Sequence, residues 1–375
     1  MDPIKLLFSG DFAPIGVAEV TPEKSSRLII DNSLNDVIND CDIWVINLEC
    51  PLTKSENKIA KTGPHLKAHP LSIKALKKLN VNIACLSNNH IRDYNDEGVS
   101  DTIELCKQHG IRTVGAGENK FEASAPLYIK IKGKVIAILN FSESEFNYAD
   151  EKRAGSNPDD PIHIWRSIQT VKLNSDYQVV VMHGGKEKHP FPTPFQLDLF
   201  RFIADQGVNA VVGHHTHDIG GYEIYNNVPI VYSLGNFIFD DGNLSAAWHK
   251  GALLRLEIYP EGNCSCTLYQ THFNGDTLKI VNELKPGTTD IDNTFMKEID
   301  IREVQDEWKK AIFKEAKNLV KSQLNLSKLR RGFWKCGFRY LTKREKHFLL
   351  SSLNRYQCKT HRELSISAIH YSLNL

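Results

Sequence analysis

The stretch AVVGHHTHDIGG, residues 210–221, places His214, His215 and His217 directly after a run of apolar residues. Such a run predicts a buried strand, and in layered α/β folds ligands gather where strands end. A turn that is merely solvated has little structural reason to hold three imidazoles within four positions. We therefore predict that this stretch ends a core strand and contributes to a metal site.

The same arrangement recurs along the first 285 residues. Seven short apolar runs predict buried strands, and their continuous apolar character indicates coverage on both faces. Three stretches between them have apolar residues at helical spacing and end in, or directly before, Gly or Asn: HPLSIKALKKL, DEGVSDTIELCKQHG and TPFQLDLFRFIADQG. This pattern predicts an α/β core with largely parallel connections. After Asn236, three further runs predict antiparallel strands that close a second sheet. The seven runs are IKLLFSGD, DIWVINLE, VNIACLSNN, KVIAILNFS, YQVVVMHGG, VNAVVGHH and IVYSLGNF.

The composition is that of an ordinary globular protein, with 375 residues of which 41% are hydrophobic and 24% charged. No apolar run approaches the roughly 18 residues that a membrane helix requires. The first residues lack the features of a signal peptide. The eight cysteines are dispersed and form no C-x-x-C pair, which favours buried, reduced thiols. These features predict a cytoplasmic protein, with attachment to the periphery of a membrane left open.

Charge is distributed unevenly along the chain. Residues 301–375 contain 17 Lys and Arg against 6 Asp and Glu, although the net charge of the whole chain is only +1. The stretch KPGTTDIDN predicts a linker, so we divide the chain into residues 1–290 and a basic, mainly helical extension at 291–375. Within the extension, residues 329–350 mix cationic and aromatic side chains. They are interpreted either as an amphipathic helix packed on the acidic body or as a surface for a membrane, an anionic polymer or nucleic acid.

Polar side chains able to bind a divalent cation follow most strands of the first half. Each has a structural explanation when taken alone; Asp11 could cap a helix and Asn89 could occupy a turn. Their joint placement at one sheet edge favours a metal site. Carboxylate, amide and imidazole donors suit Mn, Fe or Zn, and the absence of thiolates argues against a structural zinc. The candidates are Asp11, Glu49, Asn88, Asn89, His90, His183, His214, His215 and His217.

Six motifs occur in one order along residues 5–245: SGDFAP, VINLECPLT, LSNNHIRDYNDEG, VVMHGGKE, VVGHHTH and YSLGNF. In this order they resemble the poly-gamma-glutamate capsule-biosynthesis proteins of the CapA type, a branch of the calcineurin-like metallophosphoesterase superfamily. The resemblance implies a four-layer α/β/β/α sandwich of two mixed sheets with a two-metal site at one sheet edge. In this chain a C-terminal helical extension would follow the sandwich.

The resemblance also implies a role for each ligand. Two divalent cations would lie side by side, and Glu49 would bridge them. Asp11 and His217 would complete the first site, whereas Asn89, His183 and His215 would complete the second. The superfamily's usual D-x-H motif reads Asp11-Phe12-Ala13 here, so the first site lacks one imidazole. We therefore expect the first cation to bind more weakly.

The remaining roles are catalytic or supporting. His90 would stand beside the leaving group and donate a proton or a hydrogen bond, and Asp93 would orient it, although Asp93 could equally cap a helix. His214 is interpreted mainly as a neighbour of the ligands. Residues expected to support the site or to face substrate are His214, Asn47, Glu187 and Asn236.

These assignments predict a metal-dependent hydrolase that acts on a phosphoester or an amide of an anionic polymer or its precursor, in capsule (poly-gamma-glutamate) biosynthesis. Two alternatives stay open: a non-catalytic, metal-binding component of a polymer synthesis or export complex, and a nucleic-acid phosphodiesterase. The substrate is expected to be anionic, and nucleic acid is the less favoured partner. The basic extension would contact a membrane surface or a capsule-synthesis complex.

Overall fold

The computed structural model describes residues 2–240, 242, 248–286, 295–315, 350–351, 354 and 357–373. Within these residues the first sheet has nine strands. They are β1 (Ile4–Ala13), β2 (Ile29–Ile30), β3 (Ile43–Leu48), β4 (Ile83–Cys85), β5 (Arg112–Val114), β14 (Asn236–Phe239), β15 (Lys250–Ile258), β16 (Cys264–Phe273) and β17 (Thr277–Leu284). Their order is β2-β17-β16-β15-β1-β3-β4-β5, with β14 paired to β1.

A second sheet packs against the first and has six strands in the described part of the chain. They are β7 (Leu127–Ile131), β8 (Lys134–Ser142), β10 (Tyr177–His183), β11 (Ala210–His214), β12 (Tyr222–Tyr225) and β13 (Val228–Val231). Their order is β12-β13-β11-β10-β8-β7. The short strands β6 (Ala116–Gly117) and β9 (Gly155–Ser156) pair with each other.

The described residues include the α-helices α1 (Asn32–Asn39), α2 (Ile73–Lys78), α3 (Asn95–Gln108), α4 (Lys120–Ala123), α5 (Pro161–Lys172), α6 (Pro194–Asp205), α7 (301–315) and α8 (Lys359–Leu373). Of these, α1, α2 and α3 cover the outer face of the first sheet, and α5 and α6 cover that of the second. Asp160 begins α5 by accepting a hydrogen bond from the backbone of His163, and Thr193 begins α6 in the same way. In both helices a proline follows the capping residue, where its missing N–H leaves no hydrogen bond unmade.

Three apolar clusters separate the four layers. Along β10, Val179 and Val181 face the first sheet and pack with Phe8. The alternate residue Val180 packs with Ile164 of α5, because successive side chains of a strand point to opposite faces. The outer face of the first sheet packs on α1, α2 and α3 through a third cluster. The predicted α/β/β/α sandwich of two mixed sheets is therefore confirmed.

Strands that were predicted from apolar runs form, but two details differ. The run IVYSLGNF is not one strand, because it divides between β13 and β14 in different sheets. The three antiparallel strands after Asn236 do not close a second sheet. They extend the first sheet, since β15 pairs with β1 from Ile4↔Ile258 to Ser9↔Leu253. The prediction was wrong here because strand order depends on long-range pairing that a local pattern does not encode.

The C-terminal region is partly described. Met296 is buried in the cluster between the sheets, and residue 298 forms a bridge with Tyr222 of β12. Trp308 of α7 packs with Leu364 of α8. The linker residues 287–293, the boundary at 290 and residues 329–349 of the basic stretch lie outside the described residues. Among the residues that the structure describes, no helix is both long and apolar enough to cross a membrane, and the seven cysteines are free thiols.

Candidate metal centre

The two sheets bring the ends of their parallel strands to one edge. β1, β3 and β4 run parallel in the first sheet, and β8, β10 and β11 run parallel in the second. The predicted ligands lie at or just beyond these ends, and all are 5% exposed or less. They are Asp11 on β1, Glu49 after β3, Asn89 after β4, His183 at the end of β10, and His215 and His217 after β11.

A β-bulge in β1 aims Asp11 at this edge. Phe8 pairs with Val45 and Asp11 pairs with Asn47, so three steps along β1 match two steps along β3. The extra residue reverses the side-chain alternation, as bulges beside functional sites often do. Asp11 and Asn47 are thereby brought together, and the Asn47 amide donates a hydrogen bond to Asp11 Oδ1 over 2.8 Å.

One set of donor atoms surrounds Nε2 of His183. Asn89 Oδ1 lies 3.0 Å from this nitrogen, His215 Nδ1 lies 3.1 Å away, and Glu49 Oε1 lies 3.7 Å away. Glu49, His183 and His215 offer ligand atoms that all lie within 4.8 Å of one another. The residues predicted for the second cation are therefore adjacent.

A second set shares Glu49 with the first. Asp11, Glu49 and His217 also offer ligand atoms within 4.8 Å of one another. His217 Nδ1 lies 2.9 Å from Asn236 Oδ1, and its Nε2 lies 3.8 Å from Glu49 Oε1. A hydrogen bond at Nδ1 leaves Nε2 as the coordinating nitrogen, the usual arrangement for a metal-binding histidine. These are the residues predicted for the first cation.

The environment of Glu49 is the feature that most favours cation binding by these donor sets. Its carboxylate is fully buried, yet neither oxygen has a hydrogen-bond partner in the described part of the chain. Its contacts with His183 and His217, at 3.7 and 3.8 Å, are too long for hydrogen bonds. These distances leave room for a cation between Glu49 and each of the two imidazoles. A buried carboxylate without partners is costly, so divalent cations at these sets would fit the residues present.

The ionisation of the site agrees with that fit. Burial, followed by the negative charge of Asp11, raises the pKa of Glu49 well above its usual value. Burial, followed by the neighbouring His215, lowers the pKa of His183 well below its usual value. Burial also acts to raise the pKa of Asp11, but the contact with His214 outweighs it and the pKa is lowered. In the absence of cations the site therefore favours a charged Asp11 beside a neutral Glu49 and a neutral His183. Bound divalent cations would favour the charged form of Glu49 as well.

Backbone geometry at the histidine loop is unusual. His215 has φ +94° and His217 has φ +60°. Non-glycine residues rarely adopt such angles, and when they do they cluster at functional sites. Asp11 helps to hold the loop, because its Oδ2 accepts a hydrogen bond from the His215 backbone N at 3.1 Å. This conformation turns both imidazoles back towards Glu49.

His214 lies beside Asp11 rather than among the shared donors. Its Nδ1 is 3.2 Å from Asp11 Oδ1 but makes no hydrogen bond of good geometry. It is the nearest further imidazole to the first set, where the sequence lacks a histidine at Ala13. Ala13 itself is fully buried in the apolar cluster on the helix side of the first sheet.

His90 and Asp93 form a pair beside the donor sets. His90 Nδ1 lies 2.7 Å from Asp93 Oδ2, so this nitrogen donates to the carboxylate and Nε2 stays available. Asp93 is not a helix cap, since α3 begins after Tyr94 without a side-chain cap. Burial, then the charge of Lys61, lowers the pKa of His90. Asp93 also accepts from the backbone N of Leu66 over 2.7 Å.

The sequence analysis missed two supporting residues. Lys61 contacts both Asp93 and His90 from a loop, and its side chain is only 4% exposed. Glu145 accepts a hydrogen bond from Asn89 Nδ2 over 3.0 Å, which turns the Asn89 oxygen towards His183. Lys61 follows no predicted strand, whereas Glu145 lies three residues beyond the end of β8, a position that could have marked it as a candidate.

The other predicted residues are distributed as follows. Asn236 contacts His217 through Oδ1 and donates to the Trp248 carbonyl through Nδ2, so it braces the side chain of this predicted ligand. Glu187 is exposed on the loop after β10, within 4.8 Å of ligand atoms of Glu145 and His215. Asn88 is structural, because its amide donates to the Leu48 carbonyl.

Comparison with known proteins gives a consistent result. The family model for "Bacterial capsule synthesis protein PGA_cap" matches residues 5–241. The PGA biosynthesis protein CapA of Bacillus subtilis is 33% identical over 245 residues, which cover 64% of this chain and 64% of that protein. The capsule biosynthesis protein CapA of Bacillus anthracis is 34% identical over 205 residues, covering 52% and 50%. The matches thus span between half and two thirds of these relatives. A crystal structure of a hypothetical protein from Thermus thermophilus matches with TM-score 0.39 at 14% identity, over 75% of this chain and 97% of that chain.

Proposed function

Because the chain belongs to the bacterial capsule synthesis protein family PGA_cap, we propose that it is a divalent-metal-dependent hydrolase. Its substrate would be a phosphoester or an amide of an anionic polymer or its precursor. The names of its relatives, which refer to capsule and PGA biosynthesis, support a place in that process. The matches leave part of each relative uncovered, so activity and partners are proposals for this chain.

The observation that carries the proposal is the position of Glu49. Its two unpartnered oxygens lie where the two donor sets meet. Its Oε1 lies 3.7 Å from Nε2 of His183 in one set and 3.8 Å from Nε2 of His217 in the other. A pair of divalent cations of the Mn, Fe or Zn type, when bound, supplies Lewis acidity and an activated water. The first cation would be the weaker one, because Asp11, Glu49 and His217 offer it fewer donors than the second set.

The chain's own residues explain the rest of the reaction. Asp11, Glu49 and the imidazoles fix the positions of the cations and exclude bulk water from the buried side. His90, held through Nδ1 by Asp93, presents Nε2 beside the donor sets, where its imidazolium form would give the Nε2 proton to the leaving group and become neutral. Lys61 stabilises the Asp93 carboxylate and so keeps that pair in place. A purely binding site has no evident need for this oriented imidazole.

A basic cavity beside the centre supports an anionic substrate. It has a volume of about 480 Å³, and its lining includes Lys58, Arg92 and Arg153. It adjoins the catalytic pair, because the neighbouring Ile59 donates its backbone N–H to the carbonyl of Asp93 over 3.1 Å. A substrate extending from the cations into this cavity would place its negative charges against the three cationic side chains.

Turnover of model substrates tests this proposal. We expect Mn²⁺-loaded protein to hydrolyse bis-p-nitrophenyl phosphate or a γ-glutamyl anilide, and Glu49→Gln to abolish that turnover. Arg153→Ala should raise KM several-fold at unchanged kcat, whereas Arg166→Ala, on the exposed face of α5, should alter neither. Protein that binds two cations but turns over neither substrate class would contradict hydrolysis and favour a non-catalytic component of a synthesis complex.

A further inference from the structure

The start of α8 packs against the rim of the metal centre. The backbone N and Oγ1 of Thr360 both donate to the Glu143 carboxylate, the latter over 2.8 Å. Cys358 Sγ lies 3.1 Å from Glu143 Oε1, and Lys359 Nζ donates to Asp159 Oδ1 over 2.7 Å. Cys358 and Thr360 are each 2% exposed. These residues lie beyond the family match, which ends at residue 241.

Glu143 connects this segment to a predicted ligand. Its Oε2 accepts a hydrogen bond from the backbone N of Gly185 over 3.0 Å, two residues after His183. Space for the contact depends on Gly184, where an added Cβ would lie 2.9 Å from the Cβ of Glu143. Glu143 therefore links the C-terminal segment to the loop that follows His183.

Three different donor groups meet at this contact. Glu145, Cys358 and His361 offer a carboxylate oxygen, a sulfur and an imidazole nitrogen that all lie within 4.8 Å of one another. His361 Nδ1 is 3.6 Å from Glu145 Oε1. Cys358 directly precedes α8 and its carbonyl accepts a hydrogen bond from the backbone N of Arg362, so His361 lies in the first turn of the helix that follows Cys358. Glu145 comes from the loop after β8, more than 200 residues earlier in the chain.

The chemistry of the group suits a borderline-soft cation. A thiolate, an imidazole and a carboxylate together are typical zinc ligands, and three protein ligands leave one position open. Burial, then the negative charges of Glu143 and Glu145, raises the pKa of the Cys358 thiol. Without a cation the thiol therefore keeps its proton and faces Glu143. A divalent cation would replace that proton, which leaves to solvent, and would neutralise the surplus negative charge.

We infer that Glu145, Cys358 and His361 form a zinc-type cation site, separate from the cation pair, that fastens the C-terminal helix to the rim of the centre. The inference does not depend on hydrolysis, because it concerns a different set of residues. Glu145 also orients Asn89, so a cation at this site would be coupled to the donor set around His183.

Cobalt substitution of the full chain tests the inference, because a thiolate bound to Co²⁺ gives an intense charge-transfer band that oxygen and nitrogen ligands do not give. The donor sets of the cation pair contain no sulfur. We expect the band in Co²⁺-loaded wild-type protein and its loss in Cys358→Ser, which should also bind one equivalent of Zn²⁺ per chain less than wild type. His361→Ala, a second variant, should weaken Zn²⁺ binding at least tenfold.

Two control variants show whether the Co²⁺ band arises at this site rather than at another thiol or at the cation pair. Cys266→Ser removes a partly buried thiol on β16 and should keep the band. Glu49→Gln should keep it too, since Glu49 serves only the pair. Circular dichroism establishes that each variant is folded. Absence of the band in Co²⁺-saturated wild-type protein, or its persistence in Cys358→Ser, would overturn the inference.

Discussion

The substitution Glu49→Gln should have opposite effects on stability with and without divalent cations. In the metal-free protein, Glu49 buries two oxygens without hydrogen-bond partners beside the carboxylate of Asp11. Each unsatisfied buried polar atom costs about 1–3 kcal/mol. Glutamine keeps one oxygen, is neutral at every pH and provides an N–H that can donate to Asp11. We therefore expect the variant to be more stable than wild type by about 1–3 kcal/mol in the presence of a chelator.

Added Mn²⁺ should reverse that order. A cation at one hundred times its Kd stabilises the folded state by about 2.7 kcal/mol, and two cations stabilise it further. The wild type should gain at least this amount, and Glu49→Gln should gain little, because a neutral amide is a poor bridge between cations. Urea unfolding followed by tryptophan fluorescence, with chelator and with Mn²⁺, measures both differences.

A second buried glutamate provides the matched control. Both oxygens of Glu223 are satisfied, since Arg201 donates to them over 2.9 and 2.6 Å and Tyr232 donates its hydroxyl. Glu223→Gln should therefore lower stability by about 1–3 kcal/mol equally with and without Mn²⁺. If Glu49→Gln behaved like Glu223→Gln in both conditions, the reasoning from unpartnered oxygens would be refuted.

Three further predictions concern neighbouring positions. His90→Ala should lower kcat about 10²–10⁴-fold while elemental analysis finds unchanged metal content; loss of metal would show that His90 is a ligand. Gly213→Ala should lower the free energy of unfolding, measured with urea, by more than about 2 kcal/mol, because the added Cβ would lie 2.1 Å from the Tyr232 carbonyl oxygen. An unchanged free energy of unfolding would show that the two backbone segments are not this close. Dialysis should remove one cation sooner than the other, because Ala13 stands in place of an imidazole; two equally retained cations would indicate that another group, such as His214, completes the first site.

The buried strands and the polar residues at their ends could be predicted, because both depend on the sequence within a few neighbouring residues. The run YQVVVMH is apolar throughout, as a strand buried on both faces must be, and His183 at its end then lies at the sheet edge. The helix Pro161–Lys172 was missed, although Asp160 and Pro161 form a regular helix start. Its buried residues Ile164, Ile168 and Val171 stand at helical spacing, so this helix could also have been predicted from the local pattern.

The features that could not be predicted depend on tertiary contacts. The bulge that turns Asp11 towards Asn47 depends on how β1 aligns with β3. Lys61 acts on His90 from a loop with no recognisable pattern. The contact of Cys358 with Glu143 joins residues 215 positions apart, and only the packed fold brings them together.

Titration of the chelator-treated protein with Mn²⁺, followed by electron paramagnetic resonance, tests the central claim most directly. Mn²⁺ prefers oxygen and nitrogen donors to thiolate, so it reports on the pair at Asp11, Glu49 and the imidazoles. The account predicts two Mn²⁺ per chain with the spectrum of an exchange-coupled pair, and loss of that coupling in Glu49→Gln. A wild-type protein that saturates with one Mn²⁺, or with two uncoupled Mn²⁺, would contradict the claim that Glu49 bridges two cations.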